Sequence, residues 1–259
     1  MHKEGYLKGL ENLNLYYQCW LPLEEPRAVL MVAHGFAEHS GRYSHFADYF
    51  VNRGYAVYAL DHRGHGKSDG ERVYVKQFSD YVDDLKTFFN MIRKENPGKK
   101  IFLVGHSMGS AISLLYSARF QDELAGLVTS GGGISSGNEQ APPRQPEGQP
   151  LSTDFLSRDP KVIEAYVNDP LVYRGPVPVR TGGMMASVAD AVPGIKLPAL
   201  IMAGDAVADG SRSKTLFEAL KSKDKTLKLY DGLRHEIFNE PEQLQVFSDL
   251  EAWLENHLS

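Results

Sequence analysis

Cysteine is almost absent from this chain. Cys19 is the single one in 259 residues, which excludes an internal disulfide framework and any thiolate-cluster metal site. Long apolar runs are missing too. The longest, Ala28–Ala33, Tyr55–Leu60 and Pro198–Ala203, fall far short of the roughly 20 residues that span a bilayer, and Met1–Asn14 has no apolar core of the kind a signal peptide carries. Nor is there a basic run: 28 Lys and Arg stand against 33 Asp and Glu, for a net charge of −5. Without a phosphate-tracking stripe, nucleic acid is not expected as a partner. No internal repeat is visible, and nothing points to an obligate protein partner. These absences lead us to expect a soluble, cytoplasmic protein, with a transient contact at a membrane surface as the one membrane role left open.

What is present is an ordinary globular composition, 42% hydrophobic and 24% charged, in a chain long enough for one large core. Short apolar runs recur at Arg27–Ala33, Tyr55–Leu60, Ile101–Val104, Ala125–Ser130, Pro198–Ala203 and Thr226–Tyr230. Several are followed by Gly, His or Asp and then by a stretch with helical spacing, the pattern of βαβ units and a mostly parallel sheet. Two alternating segments, Tyr6–Leu10 and Leu13–Trp20, read as an antiparallel hairpin at the sheet's start. The fold class is therefore α/β, with about eight strands flanked by helices.

Helices are expected where apolar residues fall on one stripe. Tyr81, Val82, Leu85, Phe88, Phe89 and Ile92 form such a stripe, ended by Pro97-Gly98. Near the carboxyl end, Leu244, Phe247, Leu250 and Leu254 repeat the spacing after Pro241. Between them, residues 135–150 read SSGNEQAPPRQPEGQP, with too little aliphatic content to fold alone, so a loop is expected there. A helix is plausible at Pro160–Val167. We read residues 134–196 as a cap inserted into a core made of residues 1–133 and 197–259.

The chemistry centres on Gly105-His106-Ser107-Met108-Gly109. A G-x-S-x-G directly between a strand and a helix is a nucleophile elbow, in which the glycines allow a turn sharp enough to lift the serine oxygen off the sheet. Ser107 then needs a base and an acid that orients the base, in the chain order Ser, acid, His. Only His235 and His257 follow Ser107. His257 closes the last helix, whereas His235 lies in the loop after the final strand, from which it can reach back over the strand ends, so His235 is the expected base. The acid belongs after Pro198–Ala203, where Asp205 and Asp209 both qualify by type. Asp205, immediately past the strand, is the expected acid, with Asp209 as the alternative. Acyl transfer also needs donors for a developing oxyanion. The amide of Met108, next after the nucleophile, supplies one by position, and that of Phe36, in Ala33-His34-Gly35-Phe36, the other.

Three other features resemble sites without meeting their requirements. Gly64-His65-Gly66-Lys67-Ser68 contains a GKS but has Asp61 where a P-loop needs glycine. His62 and His65 lack the further ligands of a zinc site, and Met184-Met185 and Met202 read as packing. No metal or organic cofactor is expected.

Taken together, His34-Gly35, Glu38-His39-Ser40-Gly41-Arg42-Tyr43, Asp61-His62-Arg63-Gly64-His65-Gly66-Lys67-Ser68, the Gly105–Gly109 elbow and Arg234-His235-Glu236 resemble the monoacylglycerol lipase and lysophospholipase family of α/β-hydrolases. The resemblance covers nearly the whole chain except residues 135–150. It implies a serine hydrolase that cleaves monoacylglycerols or similar single-chain lipid esters, with a cap above an acyl channel. It also implies that Glu38, Arg42 and Tyr166 surround the glycerol head group, although by themselves Glu38 and Arg42 also read as a solvated ion pair on a loop. The sequence departs from the family in two places. Residues 135–150 replace a longer amphipathic cap helix, and the loop around Asp205 is about two residues shorter than the usual Gly-x-x-Asp arrangement.

Overall fold

The computed structural model describes residues 1–135, 151–176 and 186–258. Eight strands form one sheet: β1 (His2–Lys8), β2 (Asn14–Trp20), β3 (Val29–Ala33), β4 (Ala56–Leu60), β5 (Ile101–His106), β6 (Gly126–Ser130), β7 (Ala199–Gly204) and β8 (Lys225–Tyr230). Their order is β1-β2-β4-β3-β5-β6-β7-β8. The hairpin β1–β2 and the pair β2–β4 are antiparallel, and every later pair is parallel. This is the mostly parallel sheet that the apolar runs predict.

Strands β3 to β7 are buried along their whole length, because helices cover both faces of a parallel sheet. Side chains alternate between the two. Val29, Met31 and Ala33 point into a layer with α2 (Ser79–Glu95) and α3 (Met108–Phe120). Leu30 and Val32 point into the layer with α1 (Ser44–Val51) and α7 (Gln243–Asn256). In that second layer Phe46 meets Phe247 edge-on, their ring centres 5.5 Å apart.

One expected core residue is corrected. Leu244 is 66% exposed. The buried stripe of α7 runs through Val246, Phe247, Leu250, Trp253 and Leu254, and at 100° per residue Leu244 lies about 120° from its centre.

The chain between β6 and β7 carries α4 (Pro160–Asn168) and α5 (Ala186–Ala191). Asp159 caps α4 by accepting a bond from the Lys161 amide, with Pro160 in the first turn. The loop expected at 135–150 lies outside the described residues apart from Ser135, as does the Met184-Met185 pair. Helix α6 (Asp209–Ala219) joins β7 to β8. Among the described residues, no helix is long and apolar enough to cross a membrane.

Candidate active site

The elbow follows from what its neighbours leave room for. Ser107 bridges β5 and α3 with φ +52° and ψ −116°, a strained setting for a residue with a Cβ. It is held there by its amide, which donates to the Ser130 carbonyl at 2.9 Å. Both flanking glycines are required. A Cβ on Gly105 would fall far inside contact distance of the Gly109 carbonyl, and one on Gly109 would collide with the carbonyl oxygen of Ala33. Helix α3 comes this close to β5 and to the end of β3 only because Gly105 and Gly109 have no side chain. Met108 becomes the first residue of α3, so its N–H has no helical acceptor behind it and is free to act at the helix N-terminus.

Ser107 and His235 line one cavity of about 220 Å³, together with Phe36 from the loop after β3 and with Phe155, Leu156 and Tyr166 from the chain between β6 and β7. The His235 amide donates to the Phe155 carbonyl at 3.1 Å, and the Glu236 amide to the Leu156 carbonyl at 2.8 Å. The histidine loop and the overlying chain are thus fastened to each other.

The acid expected from the sequence needs correction. His235 Nδ1 lies 2.6 Å from Asp209 Oδ2, and Asp209 is 7% exposed. Asp205 is exposed, and its Oδ1 accepts the Gly232 N–H at 2.7 Å. The first carboxylate after β7 faces the turn that follows β8, and the one that reaches the histidine stands at the start of α6. Burial alone would lower the pKa of His235, but the Asp209 carboxylate overrides it and the net shift is upward. His106, buried with its ring centre 4.9 Å from that of His235, shifts the other way. Burial and the neighbouring imidazole hold it neutral.

Behind the loop that carries Phe36, His34 acts as a brace. His34 Nε2 accepts the His62 amide at 2.9 Å and its Nδ1 bonds the Gly35 carbonyl at 2.7 Å. Asp61 accepts the amides of Ser40 and Lys67 at 2.7 and 2.8 Å, which accounts for the GKS-containing turn as packing. Among the described residues no group of three or more His, Cys, Asp or Glu is placed to hold a metal ion.

Glu38 and Arg42 do not form a solvated pair. Glu38 is 3% exposed; its Oε1 accepts the Gly35 amide at 2.6 Å and the Tyr43 hydroxyl at 2.9 Å, and its Oε2 accepts Arg42 Nη1 at 2.7 Å. Burial favours the neutral acid, yet the Arg42 guanidinium holds the Glu38 pKa down to about 2. Arg42 is shared with a residue whose role the sequence did not reveal. Glu236 takes Nη1 on Oε1 and Nη2 on Oε2, each at 2.7 Å, and is itself kept ionised by that guanidinium against the effect of burial. Glu38, Tyr166 and Glu236 line the cavity, whereas Arg42 does not. It stands behind them with the Tyr166 ring 4.8 Å away.

The chain as a whole is similar to known proteins. A family profile described as serine aminopeptidase, S33, matches residues 24–242. The chain is 36% identical to a monoacylglycerol lipase of Mycolicibacterium smegmatis over 98% of both chains. It is 32% identical to the monoglyceride lipase of Homo sapiens over 96% of this chain and 89% of the human one. The chain belongs to the monoacylglycerol lipase family of α/β-hydrolases. A solved family structure, the monoacylglycerol lipase of Paleococcus ferrophilus, superposes with a TM-score of 0.81 at 28% identity, covering 94% of this chain and 99% of that one.

Membership of the monoacylglycerol lipase family sharpens the two differences from the sequence reading. The carboxylate that meets His235 Nδ1 is that of Asp209 and not that of Asp205. The residue that pairs with Arg42 from the far side is Glu236, 194 positions away, and only the tertiary fold brings them together.

Proposed function

We propose that the protein hydrolyses monoacylglycerols through an acyl-enzyme on Ser107, with His235 as base, Asp209 as the acid that orients it, and the amides of Phe36 and Met108 as oxyanion donors. It is a carboxylic ester hydrolase by family, and the lipid ester is the substrate class that its relatives carry in their names. The observation that carries the reading is the Asp209–His235 contact in a cavity that also holds Ser107.

With Nδ1 directed at Asp209, Nε2 of His235 is left to take the Ser107 proton as Oγ bonds to the ester carbonyl carbon. Negative charge gathers on the carbonyl oxygen, where the two amides hold it. The carbon–oxygen bond to the glycerol then breaks, and the proton on Nε2 passes to the leaving alcohol. Water repeats the sequence: it gives a proton to His235, adds to the acyl carbon and releases the fatty acid, and the proton returns to Ser107. Glu38 and Tyr166 can bond the glycerol hydroxyls, and Arg42 orients the carboxylates from behind.

Residues 134–196 serve in this reading as a cap on the core, supported by the seating of Phe155, Leu156 and Tyr166 over Ser107 and His235. A cavity of about 220 Å³ is smaller than the roughly 300–1,000 Å³ of sites for drug-sized ligands, which supports short or medium acyl chains. A peptidase reading is less well supported. A free amino terminus needs an available carboxylate, yet Glu38 and Glu236 are both bound to Arg42 and Glu164 is exposed on α4. The test is turnover on a chain-length series of monoacylglycerols beside matched p-nitrophenyl esters, with Ser107→Ala as control. Clear turnover of the glycerol esters, lost in the variant, is expected. Activity on p-nitrophenyl esters alone would refute the head-group assignment.

A further inference from the structure

Among the described residues, the cavity wall beside Ser107 and His235 holds more negative charge than positive. Glu38 and Glu236 line it, each 3% exposed, and the one guanidinium between them is Arg42. Two carboxylates against one guanidinium leave one unit of negative charge in a desolvated setting. Arg42 is committed to these two carboxylates: Nη1 is shared between Glu38 and Glu236, Nη2 donates to Glu236, and the Tyr166 ring lies over the guanidinium. A second cation, Arg174, donates to the Leu151 carbonyl at 3.0 Å and sits 5.7 Å from the Tyr166 ring. It too is outside the cavity lining.

The carboxylates keep unused acceptor capacity. A carboxylate offers about four lone-pair sites. Oε2 of Glu38 accepts from Arg42, and Oε1 of Glu236 from the same guanidinium, so each has room for a substrate hydroxyl. A hydroxyl can donate to them; a phosphate oxygen can only repel them, since like charges brought together without water are strongly disfavoured.

We propose that Glu236 is a specificity-determining residue, which with Glu38 admits esters of uncharged polyols and rejects esters whose leaving alcohol carries a phosphate. The inference rests on the monoacylglycerol reading and narrows it, by chemistry, to neutral head groups. Nothing in the local sequence around Glu236 signals this, because the charge balance exists only where Arg42 joins the two loops.

The experiment compares kcat/KM of the purified full chain for 1-hexanoylglycerol and for 1-hexanoylglycerol 3-phosphate, both as dissolved monomers, with p-nitrophenyl hexanoate as a substrate that lacks a polyol. The native protein should favour the uncharged ester by at least about 100-fold, and Glu236→Gln, which lets Arg42 serve one carboxylate instead of two, should narrow that ratio by about 10-fold. Because both esters are measured on the same preparation, the ratio does not depend on how much of a variant is folded. A native ratio within about 3-fold, or a ratio unmoved by the substitution, would overturn the proposal while leaving monoacylglycerol hydrolysis standing. Turnover of p-nitrophenyl hexanoate with neither glyceryl ester hydrolysed would overturn the monoacylglycerol reading and the head-group selectivity with it.

Discussion

Asp209→Asn and Asp205→Asn make a matched pair, since each removes one negative charge with little change of shape. At Asp209 the charge faces His235 Nδ1 at 2.6 Å in a nearly buried setting. There it fixes which ring nitrogen carries the proton and stabilises the imidazolium that forms as Ser107 attacks. An asparagine can present its amide N–H to Nδ1 and so place the proton on Nε2, the wrong nitrogen for a base. The expected loss is about 10³–10⁴-fold in kcat, the scale on which triad acids act. At Asp205 the carboxylate oxygen accepts one amide from Gly232 at the surface, a bond that the asparagine carbonyl can also accept. That change should cost less than about 10-fold in kcat and at most about 1 kcal/mol of stability. The assay is steady-state turnover of p-nitrophenyl butyrate at pH 8, with Tm measured in parallel so that lost catalysis is separated from lost folding. Near-native activity in Asp209→Asn together with a thousand-fold loss in Asp205→Asn would refute the assignment and restore the acid expected from the sequence.

Other outcomes follow from the same geometry. Because Asp209 raises the His235 pKa above its ordinary 6.5 and the base must be neutral, kcat/KM should fall as pH drops through a value above 6.5; an acid limb below 6 in the native protein would contradict this. Gly109→Ala should destabilise the protein by about 3 kcal/mol or more, roughly 6–12 °C in Tm, because its methyl collides with the Ala33 carbonyl; an unchanged Tm would show that the elbow can open. Arg42→Met should cost more stability than Tyr166→Phe, about 3–5 kcal/mol against under 1.5, since it strands Glu38 and Glu236 as buried charges. Urea unfolding of both variants reads the difference, and equal midpoints would argue against the ion cluster.

The sheet was legible because its central strands are buried on both faces, and continuous apolar runs such as Val29–Ala33 and Ala199–Ala203 have no other use in a chain of this composition. The Gly105–Gly109 elbow was legible for a related reason. Its two glycines and its place between strand and helix are local facts. Partners fixed by tertiary contacts were harder to see. Asp205 has the expected position past β7, but its carboxylate turns toward Gly232, and Asp209 on α6 meets the histidine. The shortness of the loop around Asp205 was visible, and it was the signal that the alternative needed weight. Glu236 sits next to His235 in sequence, yet its part in the site depends on Arg42, which no local pattern connects to it. Leu244 misled because its spacing fits a helix, while the face that packs is set by Val246, Leu250 and Trp253.

The central claim is that Ser107 carries the acyl group. A fluorophosphonate titration tests it most directly, with intact mass, the modified peptide and residual monoacylglycerol turnover read from the same aliquots. The account predicts one adduct per chain, located on Ser107, with activity falling in proportion to labelling. Full labelling elsewhere with turnover retained, or turnover that survives complete modification of Ser107, would contradict it.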